Sequence, residues 1–516
     1  MSKKKKIILF ILVFIVILGL IGGTYAYLSW VTSEEQKTQV TFTTTAGFSC
    51  SADMGGAIKS GDARIIPTTV SETTRGHYIK RELVVNPVIT VDDKTIYMDL
   101  WLDINSLGTA LSNSNNFRYA LTTSSNNPTT GVVSSGNFNG KVVGDRIYLL
   151  DLKEYASTLS ETYYLWIWLD AEETNVETAG EAFALSLNGN CYDNLPITAN
   201  SLVNNANPST LLYADASDSQ KKEMWTFSHG ATAQTSATTD YRYIGSSPNN
   251  YITFNDEVWR IIGVFDGRIK IIRNESIGSM SRDYKQSGVG SSTDDNGSND
   301  WTDSQIMYML NPTSYKLKDG YTEDGTYIYD GNSNIIYQLG CKPAIIAGGA
   351  TSYSCTRNTW SLNSTALSQV GEATYYLSGS SSYSYDAETY YALERGTKVY
   401  SGRSINWTGL VGLIYPSDYA YTFANGVEDT CYTNTYNCNS NNGATPSNSW
   451  LYNSNAQLTI SSSSHTARGL FYISGGGFIS GDYVRISKIA RPVVYLKSYI
   501  KLQGTGASDN PYEIIS

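Results

Sequence analysis

Charged residues are scarce in this sequence. Lysine, arginine, aspartate and glutamate make up 16% of its 516 residues, whereas soluble domains carry about 25%. The net charge is −10 and the isoelectric point about 5.0, so the chain lacks the basic footprint that nucleic-acid binding requires. Hydroxyl and amide side chains replace the missing charges, and 40 tyrosines stand against 13 phenylalanines. This composition is typical of an exported, mainly β protein without a nucleic-acid partner.

Motifs for common catalytic and metal sites are also missing. The three histidines, His77, His229 and His465, lie far apart, and no Cys-x-x-Cys, Gly-x-Ser-x-Gly or His-Glu-x-x-His occurs. These absences argue against a zinc site, a serine hydrolase and a metalloprotease. We therefore expect no enzyme activity, no catalytic residue and no cofactor. A pair of carboxylates assembled by the fold, as in glycan-processing enzymes, remains an alternative.

The N-terminus combines a basic block with an apolar run. Four lysines at 3–6 precede the unbroken apolar stretch Ile7–Leu20, and small residues lead to Ala26. This order predicts a secretory signal cleaved after Ala26. It also fits a retained signal anchor, because about 20 apolar residues span a bilayer and the lysines would stay inside. Residues 1–30 are thus predicted to be a signal peptide or signal anchor. The rest would lie on the extracellular face of the cell envelope, secreted or held by one membrane pass.

An even number of cysteines in an exported chain predicts disulfide bonds. The six candidates are Cys50, Cys191, Cys341, Cys355, Cys431 and Cys438. Spacing favours Cys341–Cys355 and Cys431–Cys438 as local loops. Cys50–Cys191 would then tie the first strand of an N-terminal domain to its last. Other connectivities stay open, because sequence alone does not choose among them.

Residues 31–195 are predicted to form a β-sandwich domain. Several segments alternate apolar and polar residues, which is the strand pattern: Val40–Thr45, Tyr78–Val85, Thr95–Ile104, Arg146–Leu152, Tyr163–Asp170 and Phe183–Leu187. Both faces of Tyr163–Leu169 are bulky, which indicates a central strand. Seven or eight strands without a convincing helix predict a two-sheet sandwich of the jelly-roll type.

Residues 196–238 are polar and mixed, and we expect a linker there or a short helical piece near Ser217–Trp225. Residues 239–516 are predicted to form an α+β domain. Its clearest elements are a hairpin, Val258–Val264 and Arg268–Arg273, joined by Asp266-Gly267, and a helix from Asp386 to Gly396. Asp-Gly is a favoured two-residue hairpin turn.

An acidic segment, Ser292–Asp303, resembles a calcium loop in part. Asp294, Asn296, Asp300 and Asp303 fall at spacings that an EF-hand uses for ligands, with Gly297 at the sixth position. The EF-hand requires Asp first and Glu twelfth, and Ser292 and Asp303 stand there. A solvated loop is therefore the main interpretation, and calcium is the weak alternative cofactor.

Tyrosines cluster in Tyr375-Tyr376, Tyr383–Tyr391 and Tyr415–Tyr421. Binding loops favour tyrosine with Ser, Gly and Asn, because it offers a large amphipathic contact area at low entropic cost. Half-buried faces of any exported β protein also use tyrosine. Both interpretations stay open: a recognition surface or packing.

Two family resemblances follow from these residues. Gly22–Tyr27 before a strand, Trp166–Asp170 and Ser186–Cys191 resemble exported Gram-positive β-sandwich proteins of the camelysin and biofilm-fibre type. That resemblance implies a jelly-roll sandwich, a cell-surface location and fibre assembly by strand donation.

The second resemblance covers the C-terminal domain. Asp240–Gly245, Trp259–Val264 and Arg491–Leu496 resemble uncharacterised Firmicutes-type surface proteins. The order of Trp450, a strand, a glycine turn and Arg491-Pro492 is similar to C-type-lectin-like domains. These domains bind ligands through variable loops on a rigid scaffold. The Glu-Pro-Asn or Gln-Pro-Asp sugar motif of true C-type lectins is missing here, so no binding residue is carried over.

The expected function is adhesion or ligand recognition at the cell surface, through the C-terminal domain and without catalysis. The partner would be an extracellular protein or a glycan, with the membrane as a further contact if the N-terminal helix is retained. The alternative is a structural fibre or matrix subunit that self-assembles, with Val40–Thr45 donating a strand to its neighbour.

Overall fold

The computed structural model describes most of the chain, and all structural statements refer to that part. The described residues are 36–41, 48–49, 57–63, 65–89, 95–178, 180–208, 217, 222–283, 297–311, 322–324, 327–329, 335–337, 360–383, 385–423 and 448–515. The protein is mainly β, as expected, and divides into two compact units, Met1–Pro196 and Ile197–Ser516.

The predicted signal or anchor at 1–30, with the cleavage candidate Ala26, lies outside the described residues. Within the described ranges, no helix is long and apolar enough to cross a membrane.

Unit 1 consists almost wholly of strands. They are β1 Gln36–Thr41, β2 Phe48–Ser49, β3 Ile58–Lys59, β4 Tyr78–Asn86, β5 Val88–Ile89, β6 Ile96–Leu107, β7 Phe117–Thr122, β8 Val132–Asn137, β9 Arg146–Tyr155, β10 Glu161–Leu169 and β11 Phe183–Tyr192. One helical turn, α1 Thr109–Ser112, and two 3-10 turns, Glu72–Thr74 and Val176–Thr178, connect them.

Two sheets of unit 1 share one core, which makes it a β-sandwich. The first sheet has the order β1-β4-β10-β7-β8 and the second β3-β11-β6-β9. A single apolar cluster contains side chains from both, such as Leu83 and Ile167 from the first and Leu100 and Leu185 from the second. The predicted central strand around Tyr163–Leu169 is confirmed, because β10 lies between β4 and β7.

Alternation along β6 decides which side chains enter this core. Ile96, Met98, Leu100 and Leu102 are fully buried on one face, as successive side chains of a strand point to opposite sides. The other face carries Asp99, whose carboxylate accepts hydrogen bonds from Leu152 N at 2.8 Å and from the Tyr192 hydroxyl at 3.0 Å. These two hydrogen bonds satisfy the buried Asp99 carboxyl group between neighbouring strands.

Unit 2 combines many short strands with five short helices in the described ranges. The strands are β12 Met224–His229, β13 Thr238–Tyr243, β14 Tyr251–Phe254, β15 Glu257–Phe265, β16 Arg268–Arg273, β17 Ser279–Met280, β18 Thr322–Asp324, β19 Tyr327–Tyr329, β20 Ile335–Tyr337, β21 Val370–Gly371, β22 Ala373–Tyr376, β23 Asn406–Gly409, β24 Val411–Gly412, β25 Gln457–Ser462, β26 Gly469–Ile473, β27 Ile479–Tyr483, β28 Lys488–Ile489, β29 Val493–Leu496, β30 Leu502–Gln503 and β31 Tyr512–Ile514. The helices are α2 Ala199–Asn204, α3 Gln305–Leu310, α4 Ser364–Gln369, α5 Ala387–Glu394 and α6 Pro416–Ala420, with a 3-10 turn at Trp301–Asp303.

A ten-stranded sheet forms the centre of unit 2. Its main path is β21-β29-β16-β15-β14-β31-β30, with β12, β13 and β24 attached; a separate sheet has the order β17-β28-β25-β26-β27. The predicted hairpin is confirmed: Phe265 of β15 pairs with Arg268 of β16. Asp266 and Gly267 both have positive φ, 49° and 70°, which is the requirement of a type I′ turn.

The polar segment 196–238 differs from the expected linker. It contains α2 and β12, and β12 pairs along its whole length with β13. Thr198 and Ser201 cap α2 reciprocally. The side chains of Leu202, Met224 and Trp225 are buried, so a few apolar residues among polar neighbours suffice to bring the segment into unit 2.

The predicted helix near Asp386–Gly396 is confirmed as α5. Asp386 caps it by accepting a hydrogen bond from Thr389 N at 2.6 Å, which satisfies one of the free N–H groups of the first turn. Helix α6 begins at Pro416, which has no N–H to lose at that position.

Candidate functional site

The calcium candidates are not brought together in the described residues. Asp294 and Asn296 lie outside them, as does the side chain of Asp303. The Asp300 carboxylate accepts hydrogen bonds from Thr302 N at 3.0 Å and from the Thr302 hydroxyl at 2.7 Å, so it caps the 3-10 turn. The described ranges contain no group of three potential metal ligands.

Of the six disulfide candidates, Cys191 alone lies in the described part of the chain. It ends β11 opposite Met98 of β6 and is not a free thiol. Cys50, Cys341, Cys355, Cys431 and Cys438 lie outside the described residues, so their pairing stays a prediction.

Several tyrosines of the tyrosine-rich stretches are packed inside unit 2. Tyr375, Tyr390, Tyr391, Tyr415 and Tyr421 are all buried. Their rings pack against other aromatic rings and against guanidinium groups. The packing interpretation is therefore right for them, because a phenol ring can bury a large apolar area while its hydroxyl finds a hydrogen-bond acceptor.

These tyrosines surround a cluster of ionisable side chains, which we call the charge network. Its members, four acidic and four basic, are His229, Asp240, Arg242, Lys270, Glu388, Glu394, Arg395 and Asp418. All are buried except Glu388, whose side chain is 50% exposed. Charged groups are almost never buried unless they are paired, so the geometry of the pairs decides what the network does.

Strand alternation places the inner part of the network. Asp240 and Arg242 are two residues apart on β13 and therefore share a face. Phe227 of β12 lies opposite Asp240, and His229 lies opposite Thr238. His229 is thus the diagonal neighbour of Asp240 across the two strands, within reach of its carboxylate.

Asp418 on α6 is the deepest acid. Its Oδ1 accepts a hydrogen bond from Arg242 Nη1 at 2.9 Å, and its Oδ2 accepts one from Lys270 Nζ at 2.6 Å. The Tyr415 N–H also donates to Oδ2 at 3.0 Å. Burial raises the pKa of Asp418, but Lys270 and Arg242 outweigh burial and hold it below the usual value. The carboxyl is therefore ionised at neutral pH.

Arg242 joins the two acids of the inner network. Its Nη2 donates to Asp240 Oδ2 at 2.5 Å, while its Nη1 donates to Asp418 Oδ1. The guanidinium also lies 4.7 Å from the ring centres of Phe265 and Tyr421. Burial alone would lower its pKa, yet the two carboxylates raise it. A buried cation is stabilised by the carboxylates that it contacts.

His229 links the inner network to the surface. Its Nε2 lies 3.0 Å from Asp240 Oδ2 and its Nδ1 lies 2.7 Å from Glu388 Oε2. Each ring nitrogen therefore has a carboxylate oxygen within hydrogen-bonding distance. The Tyr421 hydroxyl donates to the same Glu388 oxygen at 2.7 Å. Although burial raises the pKa of Glu388, these two hydrogen bonds outweigh burial and lower it.

Tyr391 of α5 lies between His229 and Arg395. The His229 ring stacks on it with centroids 3.6 Å apart, and the Arg395 guanidinium carbon lies 3.5 Å from the same ring centre. Two groups this close cannot share one face of a ring, so they cover opposite faces. A guanidinium cation is attracted to the negative face of an aromatic ring, and the Tyr391 ring separates it from the imidazole.

Glu394 differs from the other three acids of the network because its pKa is raised rather than lowered. Its Oε1 accepts a hydrogen bond from Ser417 N at 2.9 Å and its Oε2 one from the Ser417 hydroxyl at 2.5 Å, so it caps α6. Complete burial raises its pKa to about 7, because the nearby Arg395 and Ser417 only partly offset the loss of solvent. Glu394 is thus the member of the network that titrates near neutral pH.

The network ties several elements of unit 2 together. Both ring nitrogens of His229 face carboxylates, Asp240 faces His229 and Arg242, and Asp418 faces Arg242 and Lys270. Together its contacts join β12, β13, β16, α5 and α6. Sequence reasoning missed this cluster, because its members are spread from 229 to 418 and show no motif spacing.

The described residues on the two sides of 424–447 are in contact. The hydroxyls of Thr422 and Ser449 are hydrogen-bonded to each other. Gly245 contacts both sides, because its N–H donates to Thr422 O at 2.7 Å and its carbonyl accepts from Trp450 N at 2.8 Å. Thr422 and Trp450 are therefore joined through Gly245.

The described residues on the two sides of 284–296 are also in contact. The Ser298 N–H donates to the buried Asp283 carboxylate at 2.6 Å. Gly297, the residue before Ser298, has a φ of 77°. A Cβ at this position would lie 2.5 Å from the Asp283 carbonyl oxygen. Only glycine allows this approach without a steric clash.

Comparisons with known proteins identify no relative. No protein-family model, no curated protein and no solved structure matches this chain. The two family resemblances drawn from the sequence therefore remain hypotheses.

Proposed function

We propose that this protein is an exported cell-surface protein that recognises an extracellular protein or glycan through unit 2, without catalysis. The observation that carries the proposal is the set of contacts that Thr422, Gly245 and Ser449 make, which holds together the described residues on the two sides of 424–447. Recognition sites favour variable loops that a rigid scaffold positions. We further propose that the scaffold, residues 239–516, is C-type-lectin-like.

The charge network supports a scaffold role. It places paired charges inside unit 2 and joins five of its elements, which rigidifies the region next to Tyr421 and Thr422. The carboxylates of Asp240 and Asp418 are each paired with a cation. A glycan-processing pair instead needs one carboxyl group that protonates the substrate and one that remains free.

The composition of residues 424–447 fits a binding role. Residues 424–447 contain many Asn and Thr together with Tyr432 and Tyr436, the residue types that supply adaptable hydrogen bonds and amphipathic contact area in binding loops. Cys431 and Cys438 lie within it, and a bond between them would restrict the segment further.

A glycan and protein array tests the proposal with the exported chain, residues 31–516. In one variant, a short Gly-Ser linker replaces residues 424–447 between Phe423 and Asn448. In the matched control, the same linker replaces residues 125–130 of unit 1, which lie between β7 and β8. We expect a ligand that binds the intact chain and the control but not the first variant. If the intact chain binds nothing on the array, or if the first variant binds as well as the control, the proposal is wrong.

A second proposal, a fibre subunit, rests on strand β1. β1 forms one edge of its sheet and pairs in parallel with β4, from Gln36 opposite Arg81 to Thr41 opposite Asn86. Edge strands are the usual sites of strand exchange between chains. The strand that was expected at Val40–Thr45 thus begins earlier, and its described part ends at Thr41.

Electron microscopy of the exported chain distinguishes the two proposals. A fibre subunit forms filaments above a threshold concentration, and deletion of residues 36–41 abolishes them. Val133→Lys on β8, at the opposite edge of the same sheet, serves as the control and leaves the filaments intact. A chain that stays monomeric at every concentration contradicts strand donation and leaves the recognition proposal unaffected.

A further inference from the structure

The innermost pair of the charge network joins a lysine to an aspartate away from all solvent. Lys270 is 0% exposed and Asp418 1% exposed, and Nζ lies 2.6 Å from Oδ2. The pair links the central strand β16 to helix α6. Removing an ammonium and a carboxylate from water costs several kcal/mol per ion, and a neutral link between the two groups would remove this cost.

Aromatic rings enclose the amine. Nζ lies 4.7 Å from the ring centre of Tyr415, 5.0 Å from that of Phe265 and 5.3 Å from that of Tyr495. Burial lowers the pKa of Lys270, and the nearby Asp418 only partly offsets this effect. The neutral amine, which is the nucleophilic form of lysine, is therefore easier to reach here than in water.

The carboxyl group is held from both sides. Arg242 Nη1 donates to Oδ1 at 2.9 Å, while Lys270 Nζ and Tyr415 N occupy Oδ2. Two reacting groups fixed in contact behave as if present at very high concentration. A guanidinium on Oδ1 also stabilises negative charge that develops on that oxygen.

We infer that Lys270 and Asp418 condense to an intramolecular amide, an isopeptide bond that joins β16 to α6. A proton first moves from Nζ to Oδ2, which gives a neutral amine and a neutral carboxylic acid. The nitrogen lone pair then attacks Cγ, and the C=O electron pair moves onto Oδ1, where Arg242 donates to it. A second proton passes from nitrogen to Oδ2, the C–Oδ2 bond breaks, and one water leaves.

The reaction needs no oxidant, cofactor or second substrate. Lysine loses two protons and aspartate loses one oxygen, which together form the water. The product keeps Oδ1 as an amide carbonyl, which accepts the same hydrogen bond from Arg242. The bond replaces two buried charges with a neutral group. It also closes the chain between residues 270 and 418 into a covalent loop, which restricts the unfolded state in the way that a disulfide does.

The same unit contains an internal control. Lys488 Nζ forms an ion pair with Asp482 Oδ2, but the side chain of Asp482 is 30% exposed. Water stabilises the charged carboxylate there, so this pair has no comparable drive to become neutral. It is expected to remain an ion pair in the same sample.

Mass spectrometry of the purified exported chain tests the inference without any variant. After reduction of disulfides, we expect an intact mass that is one water below the sum for the mature sequence. Trypsin is expected not to cleave after Lys270, because the amide removes the charge that the protease recognises. The digest would contain a branched peptide with residues 270 and 418, while cleavage after Lys488 proceeds normally. Complete cleavage after Lys270, with an unmodified peptide that contains Asp418, overturns the inference.

Two substitutions distinguish an amide from other losses of water. Lys270→Arg keeps the positive charge but cannot form the bond, and its intact mass is expected to show no loss. Asp418→Asn is expected to give the same cross-linked product as the natural chain, because ammonia leaves in place of water. If the branched peptide persists in Lys270→Arg, another residue has reacted and the assignment is wrong.

Discussion

The imidazole ring of His229 lies flat against the phenol ring of Tyr391, with ring centroids 3.6 Å apart and ring planes 9° from parallel. The contact joins β12 to α5, and the Tyr391 hydroxyl bonds to the Thr238 hydroxyl at 2.7 Å. One tyrosine thus combines a stacking role with a hydrogen-bonding role, and the two can be separated by substitution.

Tyr391→Phe removes the hydroxyl and keeps the ring. We expect it to destabilise the region by about 1 kcal/mol, the net value of one hydrogen bond. Tyr391→Ala also removes the surface between His229 and Arg395 and is expected to cost about 3–5 kcal/mol. Hydrogen exchange of the backbone amides of residues 224–243 measures the loss of stability in each variant. Equal effects of the two substitutions would show that the stack contributes nothing.

Asp240→Asn is expected to destabilise unit 2 by about 3–5 kcal/mol, because Arg242 keeps its buried charge and loses the carboxylate of Asp240. Although burial raises the pKa of Asp240, Arg242 and His229 outweigh burial and lower it to about 2 from 3.8. The stabilisation is therefore present above pH 3.8 and is lost as the pH falls through 2.

Urea unfolding of the natural chain and of Asp240→Asn between pH 2 and pH 7 measures this effect. The natural chain is expected to lose more stability in acid than the variant, so the two curves converge at low pH. A constant difference between them over the whole range would mean that Asp240 does not carry the acid sensitivity.

Glu394 produces the opposite pH dependence. Burial raises its pKa to about 7 from 4.5, so the folded state binds the proton more tightly than the unfolded state. The stabilisation is complete below pH 4.5 and is lost as the pH rises through 7, a loss on the order of 3 kcal/mol. Glu394→Gln cannot ionise and still offers an oxygen to Ser417.

Thermal unfolding between pH 5 and pH 8 checks the role of Glu394. The midpoint of unit 2 is expected to fall over this range in the natural chain and to change less in Glu394→Gln. An identical slope in both proteins would assign the neutral-pH titration to another group.

Gly263 of β15 allows two strands to approach each other. A Cβ at this position would lie 2.0 Å from the Tyr241 carbonyl oxygen of β13. Because the obstacle is backbone, Gly263→Ala is expected to cost about 1–3 kcal/mol, as overpacking does. Gly230→Ala is the matched control, since a Cβ there meets nothing within 4 Å. Circular dichroism melts of both variants compare them, and equal melting points would contradict the prediction.

Some parts of the fold follow from local sequence signals. Asp266-Gly267 determines the turn between β15 and β16, because both positions require positive φ. Asp386 marks the start of α5, because its side chain can cap the first turn. The alternation along β6 assigns its buried face, since a strand repeats every two residues.

Other parts needed the assembled structure. Segment 196–238 looks like a linker because its polar residues hide the pairing of β12 with β13, which depends on a partner strand rather than on composition. The tyrosine-rich stretches allow two interpretations in sequence. Their burial is decided by the strands and guanidinium groups that surround them.

The sequence by itself determined a mainly β chain, the hairpin turn and the caps, because these depend on the conformational preferences of neighbouring residues. Tertiary structure alone decided the charge network and the Lys270–Asp418 pair. Coulomb attraction and desolvation act through space, so residues that are far apart along the chain acquire their chemistry only when folding brings them together and excludes water.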